Sequence, residues 1–362
     1  MVRTMTVPVR GRCRPQGVQA GRNGVRDERY RGGMRTPEEI LPALGRLPLA
    51  RAEVDRGCEA RAREGWLEQV WARDEARVLW VSGGRAPVLG GQLVLTRPEG
   101  ELPAGAVYLG RSTADVAPGA GPRTELILLV SEDHPPLPAG EAGGQPVADP
   151  EDIAWVGLRE VAAALTDRDA GVFAEAVAIA NWHAVHTHCP QCGTPTDITQ
   201  SGWVRVCPQD HSQHFPRTDP AIIVTVTDHQ DRVLLGNNVA WGPRMYSTLA
   251  GFVEPGEALE AAVVREVHEE SNLRVHSPVY LGSQPWPFPQ SLMLGYTAVT
   301  DHPEDAVADR EEVAHVRWFT REELAQAVGE GEITLPGSAS ISRALIEHWF
   351  GGALPEPRTL QN

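Results

Sequence analysis

The chain has 362 residues, enough for two or three domains that each bury a core. Hydrophobic residues make up 41% and charged ones 22%, as in a globular protein, and no apolar run approaches the roughly 18 residues a membrane span needs. A formal net charge of −15 argues against general polyanion binding but leaves room for a local basic groove. All 33 basic residues are arginine, so no lysine nucleophile or Schiff base is available.

Residues 1–35 carry nine arginines against Asp27 and Glu28, a net of +7; subtracting that from −15 leaves −22 on residues 36–362. The stretch has no apolar h-region, so it is not a secretory signal. It reads as a disordered extension, or as an upstream start with Met34 as the true first residue. A transit peptide or a nucleic-acid arm are the alternatives. Five cysteines are too few and too unevenly spaced for a secreted disulfide framework. Three of them fall between 189 and 207, which points to a metal site in a reducing cytoplasm.

Residues 36–150 alternate short apolar runs with Gly/Pro-rich turns and predict a β-rich domain, with a helix over 66–71 and strands over 76–81, 92–95 and 125–130. A Pro/Gly-rich loop, 134–149, separates it from a helical connector, 151–188. There Val172, Phe173, Ala176, Val177, Ile179 and Ala180 recur at helical spacing. His183, His186 and His188 read as helix residues rather than ligands. Residues 189–216 follow with Cys189-x-x-Cys192 and then Cys207-x-x-Asp210-His211, a near match to the paired knuckles of a zinc ribbon. Imidazole is the better zinc ligand and Asp210 has the better register, so the fourth position stays open between Asp210 and His211.

Over 217–350 the pattern predicts strands at 221–226, 232–236, 279–282, 291–296 and 315–319, with late helices at 321–328 and 338–350 before a tail, 351–362. Between the second and third of these strands, Glu266, Glu269 and Glu270 stand at i, i+3 and i+4, one stripe of one helix. Like charges so placed repel by roughly 0.2–0.5 kcal/mol per pair on an isolated helix. A divalent cation converts that repulsion into binding, because hard oxygen ligands suit Mg²⁺ or Mn²⁺. On charge alone, a solvated acidic face is the better explanation of the stripe.

The flanking residues decide. Gly251, Glu257, Arg265-Glu266, the apolar Val267, Glu269-Glu270 and Leu273, at their spacing, resemble the Nudix box of hydrolases acting on nucleoside diphosphates linked to another moiety. Asn272 stands where that family has glycine, at a helix end that takes a left-handed conformation; asparagine is the commonest substitute there. Further on, Ser283-Gln284-Pro285-Trp286-Pro287-Phe288-Pro289-Gln290-Ser291 alternates prolines with aromatic rings in a stiff loop. A ligand for another protein's groove or a rigid turn would share that composition. These nine residues match the signature of the NADH pyrophosphatase branch of the Nudix hydrolases, and the chain resembles that branch over roughly 45–350.

The resemblance implies a mixed α/β and α+β chain, in which a C-terminal Nudix fold follows a small zinc ribbon and an N-terminal β-rich domain. It implies a homodimer that needs Mg²⁺ or Mn²⁺, hydrolyses NADH or NAD⁺ to (reduced) nicotinamide mononucleotide and AMP, and removes NAD caps from RNA 5′ ends. By the same resemblance Glu266, Glu269 and Glu270 hold the metal with the backbone carbonyl of Ala250. Glu312, or Glu311 beside it, adds a carboxylate that activates water, and Arg265 orients Glu257. Phe252 is expected to stack on adenine, and Phe215, at a family tyrosine position, to stack from the partner subunit. Gln284, Pro285, Trp286, Pro287, Phe288, Pro289, Gln290 and Ser291 are expected to line the nucleotide pocket, with Ser342 touching substrate. Gly202 replaces a family glutamate and removes one contact. The competing readings are a Nudix hydrolase of ADP-ribose or diadenosine polyphosphates, and a non-catalytic nucleotide-sensing or RNA-binding protein on the same fold.

Overall fold

The computed structural model describes residues 43–355, apart from 114–123, 136, 138, 139, 143 and 148. The arginine-rich stretch 1–35 and residues 356–362 of the tail lie outside the described residues. The N-terminal half runs β1 (Val54–Asp55), α1 (Cys58–Arg61), α2 (Trp66–Trp71), β2 (Ala76–Ser82), β3 (Arg85–Leu89), β4 (Gln92–Thr96), β5 (Val107–Ser112) and β6 (Glu125–Ser131). It continues with β7 (Gly140–Ala142), β8 (Gln145–Pro146), β9 (Ala154–Gly157), α3 (Leu158–Val161) and α4 (Asp167–Val185). Its nine strands form one mixed sheet in the order β1-β5-β6-β2-β3-β4-β7-β8, with β9 paired to β3 and β2 parallel to β6.

Side chains alternate across a strand, so one strand feeds two cores. Leu126 and Leu128 of β6 join the cluster that contains Phe173 of α4, whereas Ile127 and Leu129 join Trp66 and Val70 of α2 on the opposite face. Each fully buried aliphatic or Phe side chain contributes about 1.5–3 kcal/mol. The segment read from sequence as a separate connector, 151–188, is therefore part of this first domain. β9 completes its sheet, and Val172, Phe173, Ala176, Val177 and Ile179 of α4 pack against Leu79 and Leu93. Periodicity shows that a helix has an apolar face, not which sheet covers it. Thr166 caps α4 by accepting from the Asp169 N–H, and the helix stops at Val185, short of His188, because His186 leaves helical geometry.

A three-stranded antiparallel ribbon follows: β10 (Asp197–Thr199), β11 (Val204–Val206) and β12 (Gln213–His214). The Trp203 indole N–H donates to the Tyr108 carbonyl at 2.7 Å and fixes the ribbon to β5. Gly202 sits against Val107 at φ +95°, where a Cβ would overlap the valine, so no glutamate fits at this position.

The C-terminal half contains β13 (Asp219–Thr227), β14 (Val233–Asn238), β15 (Leu249–Phe252), α5 (Leu259–Ser271), β16 (His276–Trp286) and β17 (Ser291–Val299). β18 (Val313–Phe319), α6 (Arg321–Gly329) and α7 (Ile341–Phe350) complete it. The sheet order is β16-β17-β13-β14-β18, with β15 paired to β13 and β13 parallel to β17. Ile222, Val224 and Val226 of β13 pack under Ala262, Val263 and Val267 of α5, while Ile223 faces Ile341 and Leu345 of α7. A capping box between Thr320 and Glu323 starts α6. The proline-aromatic segment is half strand, not a free loop. β16 runs through Pro285 to Trp286 and pairs with Ser291–Leu294. β16 is an edge strand, where a proline's missing N–H costs no ladder bond. Among the described residues, no helix is long and apolar enough to cross a membrane.

Candidate active site

Strand β15 and helix α5 carry the box. Gly251 is glycine for want of space: a Cβ there would overlap the Glu266 carboxylate, which lies against the strand backbone. Asn272 ends α5 at φ 58°, and its Nδ2 donates to the Asp305 carbonyl at 3.0 Å, which ties the helix end to the loop before β18. Arg265 forks onto Glu257 with two bonds of 2.8 Å, and its other contacts reach Glu266 Oε1 at 2.8 Å, Glu269 Oε2 at 3.0 Å and the Phe252 carbonyl at 2.9 Å. Hydrogen bonding to Arg265 holds the Glu257 carboxyl down to about 2, so that pair stays ionised as a brace.

Glu270 is buried, and its Oε2 has no hydrogen-bond partner among the described residues. Burial pushes its pKa up to about 8, reinforced by the charges of Glu266 and Glu312 and opposed by the Ala250 backbone. Burial also raises Glu266, against the pull of Arg265, with Glu269 and Glu312 adding to the rise. The charges of Glu266 and Glu312 thus act on Glu270, which the Ala250 backbone adjoins, although among the described residues these carboxylate oxygens are not drawn together within 4.8 Å as the ribbon ligands are. Glu269 is turned outward onto Arg265. An orphaned buried oxygen within a set of hard carboxylates fits a divalent cation.

Sequence reasoning missed Asp309. It accepts from the backbone N–H of Glu312 at 3.1 Å and of Val313 at 2.8 Å and so fixes the turn that presents Glu312. Burial works to raise its pKa, but the amides of residues 310–313 hold it below its ordinary value.

A cavity of about 430 Å³ opens beside Glu270 and Ala250. Trp286, Arg159, Trp241 and Ser342 line it as well. The Arg159 guanidinium, on α3 of the first domain, lies 3.9 Å from the Phe288 ring centroid and 5.1 Å from that of Trp286. Ser342 is buried at the start of α7, with its Oγ 2.8 Å from Ser247 Oγ and 2.9 Å from Thr248 Oγ1. A lone arginine in a four-residue helix and a tryptophan in the loop after β14 carry no motif, so neither Arg159 nor Trp241 was visible in advance.

The nine-residue segment does not line this cavity as a unit. Trp286 faces it, but Gln284 is fully buried and accepts from the Leu49 N–H at 3.1 Å while donating to the Ala339 carbonyl at 2.9 Å. Gln284 is thus a bolt between segments rather than a pocket wall. Pro285, Pro287, Gln290 and Ser291 line a different cavity, and strand alternation sends Pro285 to the face opposite Trp286. Asn181 of α4 donates to the carbonyls of Pro287 and Pro289, at 2.9 and 3.1 Å, and holds the turn. Phe252 and Phe215 are exposed, 59% and 58%, and neither lines the catalytic cavity in this single chain.

In the ribbon, ligand atoms of Cys189, Cys192, Cys207 and Asp210 all lie within 4.8 Å of one another. Cys189 Sγ is 3.4 Å from Asp210 Oδ2, and Cys192 Sγ is 3.5 Å from Cys207 Sγ. His211 is exposed at φ 60° and outside that group, so the geometry favours Asp210 as the fourth ligand. Three thiols and a carboxylate fit a tetrahedral ion of the zinc type.

Comparison with known proteins agrees with this layout. Residues 217–335 match the NUDIX domain, 185–215 the NADH pyrophosphatase zinc ribbon domain, and 66–182 the NADH pyrophosphatase-like rudimentary NUDIX domain. A protein named NAD-capped RNA hydrolase NudC from Mycobacterium bovis is 37% identical over 319 residues, which cover 85% of this chain and 95% of that protein. The protein of the same name from Mycobacterium tuberculosis matches with the same identity and coverage. NAD-capped RNA hydrolase NUDT12 of Homo sapiens is 39% identical over 199 residues, 51% of this chain and 43% of that protein. The chain belongs to the NADH pyrophosphatase (NudC-like) family of Nudix hydrolases.

Proposed function

We propose that this chain is a divalent-metal-dependent pyrophosphatase that hydrolyses NADH and NAD⁺ to (reduced) nicotinamide mononucleotide and AMP, and that it removes NAD caps from RNA 5′ ends. One observation carries the reading: Trp286 of the signature segment and Glu270 of the box line a single cavity. The relatives matched over 85% of the chain are named for hydrolysis of NAD-capped RNA, which supports the cap substrate, and the NADH pyrophosphatase domain matches support NADH.

Glu266, Glu269, Glu270 and Glu312, with the Ala250 carbonyl, would hold Mg²⁺ or Mn²⁺, which when bound neutralises pyrophosphate charge and lowers the pKa of water. The protein's own contribution is placement. Asp309 and the following turn aim Glu312 toward the helix carboxylates, where it takes the proton of the attacking water. Arg265 and Glu257 brace the box from behind, and Ser342 and Arg159 offer donors to the substrate's polar groups. Exposed Phe252 stacks on a base, and exposed Phe215 is available to a neighbouring subunit in a homodimer. Cys189, Cys192, Cys207 and Asp210 would hold one structural Zn²⁺. Cys58, Cys189, Cys192 and Cys207 are all free thiols, which supports a reducing cytoplasm as the working compartment.

The test is parallel product analysis with NADH, NAD⁺, ADP-ribose and NAD-capped RNA under Mg²⁺ and Mn²⁺. Cleavage of NADH to reduced nicotinamide mononucleotide and AMP is expected. Faster cleavage of ADP-ribose than of any nicotinamide substrate would overturn the assignment. Metal analysis of the same sample is expected to find one zinc per chain, and a folded zinc-free protein would refute the ribbon ion.

A further inference from the structure

Behind the signature hairpin lies a second cavity, of about 540 Å³, that the proposed hydrolysis does not use. It sits where α4, the ribbon and the hairpin meet, and its walls are mostly apolar: Leu49, Ile179, Trp203, Pro285, Pro287 and Leu292. Glu175 of α4 interrupts that surface. Its side chain is 3% exposed, with Oε2 3.1 Å from Arg56 Nε. Its Oε1 is buried and meets no hydrogen-bond partner among the described residues. An acceptor left unmet at such depth is destabilising until a donor reaches it. Arg56 and Arg217 also line the cavity, with side chains 54% and 60% exposed, and Arg217 commits only one of its nitrogens, Nη2, to Asp219. Guanidinium groups with free N–H at a rim suit a phosphate.

A ligand that answers all three features has a flat apolar body, an N–H donor for the buried carboxylate and an anionic group for the exposed arginines. We propose that this cavity is a second nucleotide site, which takes a nucleoside 5′-monophosphate unit with a base amino or amide N–H on Glu175 and its phosphate on Arg56 and Arg217. The volume is of the size that encloses small ligands, and Trp203 offers an aromatic wall to a base. Burial pushes Glu175 up to about 7 against the pull of Arg56, so a donated N–H stabilises its ionised form. The unit arrives either as a free mononucleotide or as a nucleotide within an RNA chain; both present the same chemistry.

The experiment is calorimetric titration of the full-length protein with AMP in EDTA, with saturating NADH present throughout to fill the catalytic cavity, alongside two variants. Glu175→Gln removes the charged acceptor, and Ala178→Phe, on the same face of α4, fills the cavity while leaving the carboxylate in place. Each is expected to weaken AMP binding roughly tenfold or more while melting temperature and NADH turnover stay close to wild type. Purine riboside 5′-monophosphate, which lacks the amino group, is expected to bind the wild type as weakly as AMP binds Glu175→Gln. With NADH already saturating, competition by NAD-capped oligoribonucleotide assigns the unit to the RNA chain. Its failure to compete assigns the site to the free mononucleotide. Absence of AMP binding in the presence of NADH, or AMP affinity unchanged in both folded variants, would overturn the proposal.

Discussion

In both sheets a central strand runs parallel to one neighbour and antiparallel to its hairpin partner: β2 lies beside β6 and β3, and β13 lies beside β17 and β14. The remaining pairs correspond as well, with β4 on β2, β9 on β3 and β5 on β6 in the first sheet, against β15 on β13, β18 on β14 and β16 on β17 in the second. What differs is the segment after the third strand. In the second sheet it contains α5 with its carboxylate stripe; in the first it is residues 97–106, which form no helix. Pro98 and Pro103 cannot sustain helical bonding there, and Gly100 and Gly105 turn the chain at φ 67° and 85°. The same sheet is thus built twice, and only one copy has a helix on which carboxylates can converge. The first copy adds β1, β7 and β8 and lends Asn181 and Arg159 to the hairpin of the other.

That contrast can be broken or sharpened in steps. Outside α5, the largest effect is expected from Glu312→Gln, which should lower kcat by about 10²–10⁴-fold, while Glu99→Gln and Glu101→Gln in the helix-less segment leave it unchanged. A loss below tenfold at Glu312 would move the proton acceptor onto α5 itself. Gly251→Ala should displace the Glu266 carboxylate, and a shift of about 1 Å in such a group costs about 10²-fold in rate. Its counterpart Gly100→Ala strains a left-handed turn, so stability should fall by about 1 kcal/mol with kcat retained. Phe173→Ala, in the core of the first domain, should cost about 3–5 kcal/mol in denaturant titration. Steady-state rate per folded molecule should survive, which would separate support from chemistry.

A smaller effect concerns pH. Glu270, at about 8, and Glu175, at about 7, both titrate above the ordinary carboxyl value, so between roughly pH 5 and 8 the folded state binds more protons than the unfolded one. The cation-free protein should therefore lose stability as pH rises through that window. Mg²⁺ should restore the part due to Glu270 and not the part due to Glu175, so the gap in melting temperature between Mg²⁺ and EDTA samples should widen with pH. A gap that narrows would contradict the metal-ligand role of Glu270.

Legibility followed chemistry more closely than architecture. The stripe on α5 and the three ribbon cysteines were readable from their spacing, the left-handed Asn272 from the glycine it replaces in the family motif, and the fourth ribbon ligand stayed open until Asp210 was seen beside the thiols. β2, β4 and β6 were readable because short continuous apolar runs between Gly/Pro-rich turns mark buried strands. β3 escaped notice because Pro87 interrupts its run, and β5 because Gly110 does. The allegiance of α4 was hidden because its partners lie in β2, β4 and β6, far back in the chain. Gln284 was misplaced for a related reason: its position in the motif was plain, but its partners Leu49 and Ala339 lie 235 and 55 residues away. Arg159 and Asp309 reach the site through the fold and belong to no motif.

The most direct test of the account is Glu269→Gln in the full-length protein, with NADH cleavage and NADH binding measured on the same preparation. Glu269 is more than half exposed and joined to the rest of the box through Arg265, so the substitution should leave the fold intact. The account predicts that turnover is abolished while NADH still binds. Undiminished cleavage by a folded Glu269→Gln protein would contradict the claim that the helix absent from the first sheet is what makes the second one an enzyme.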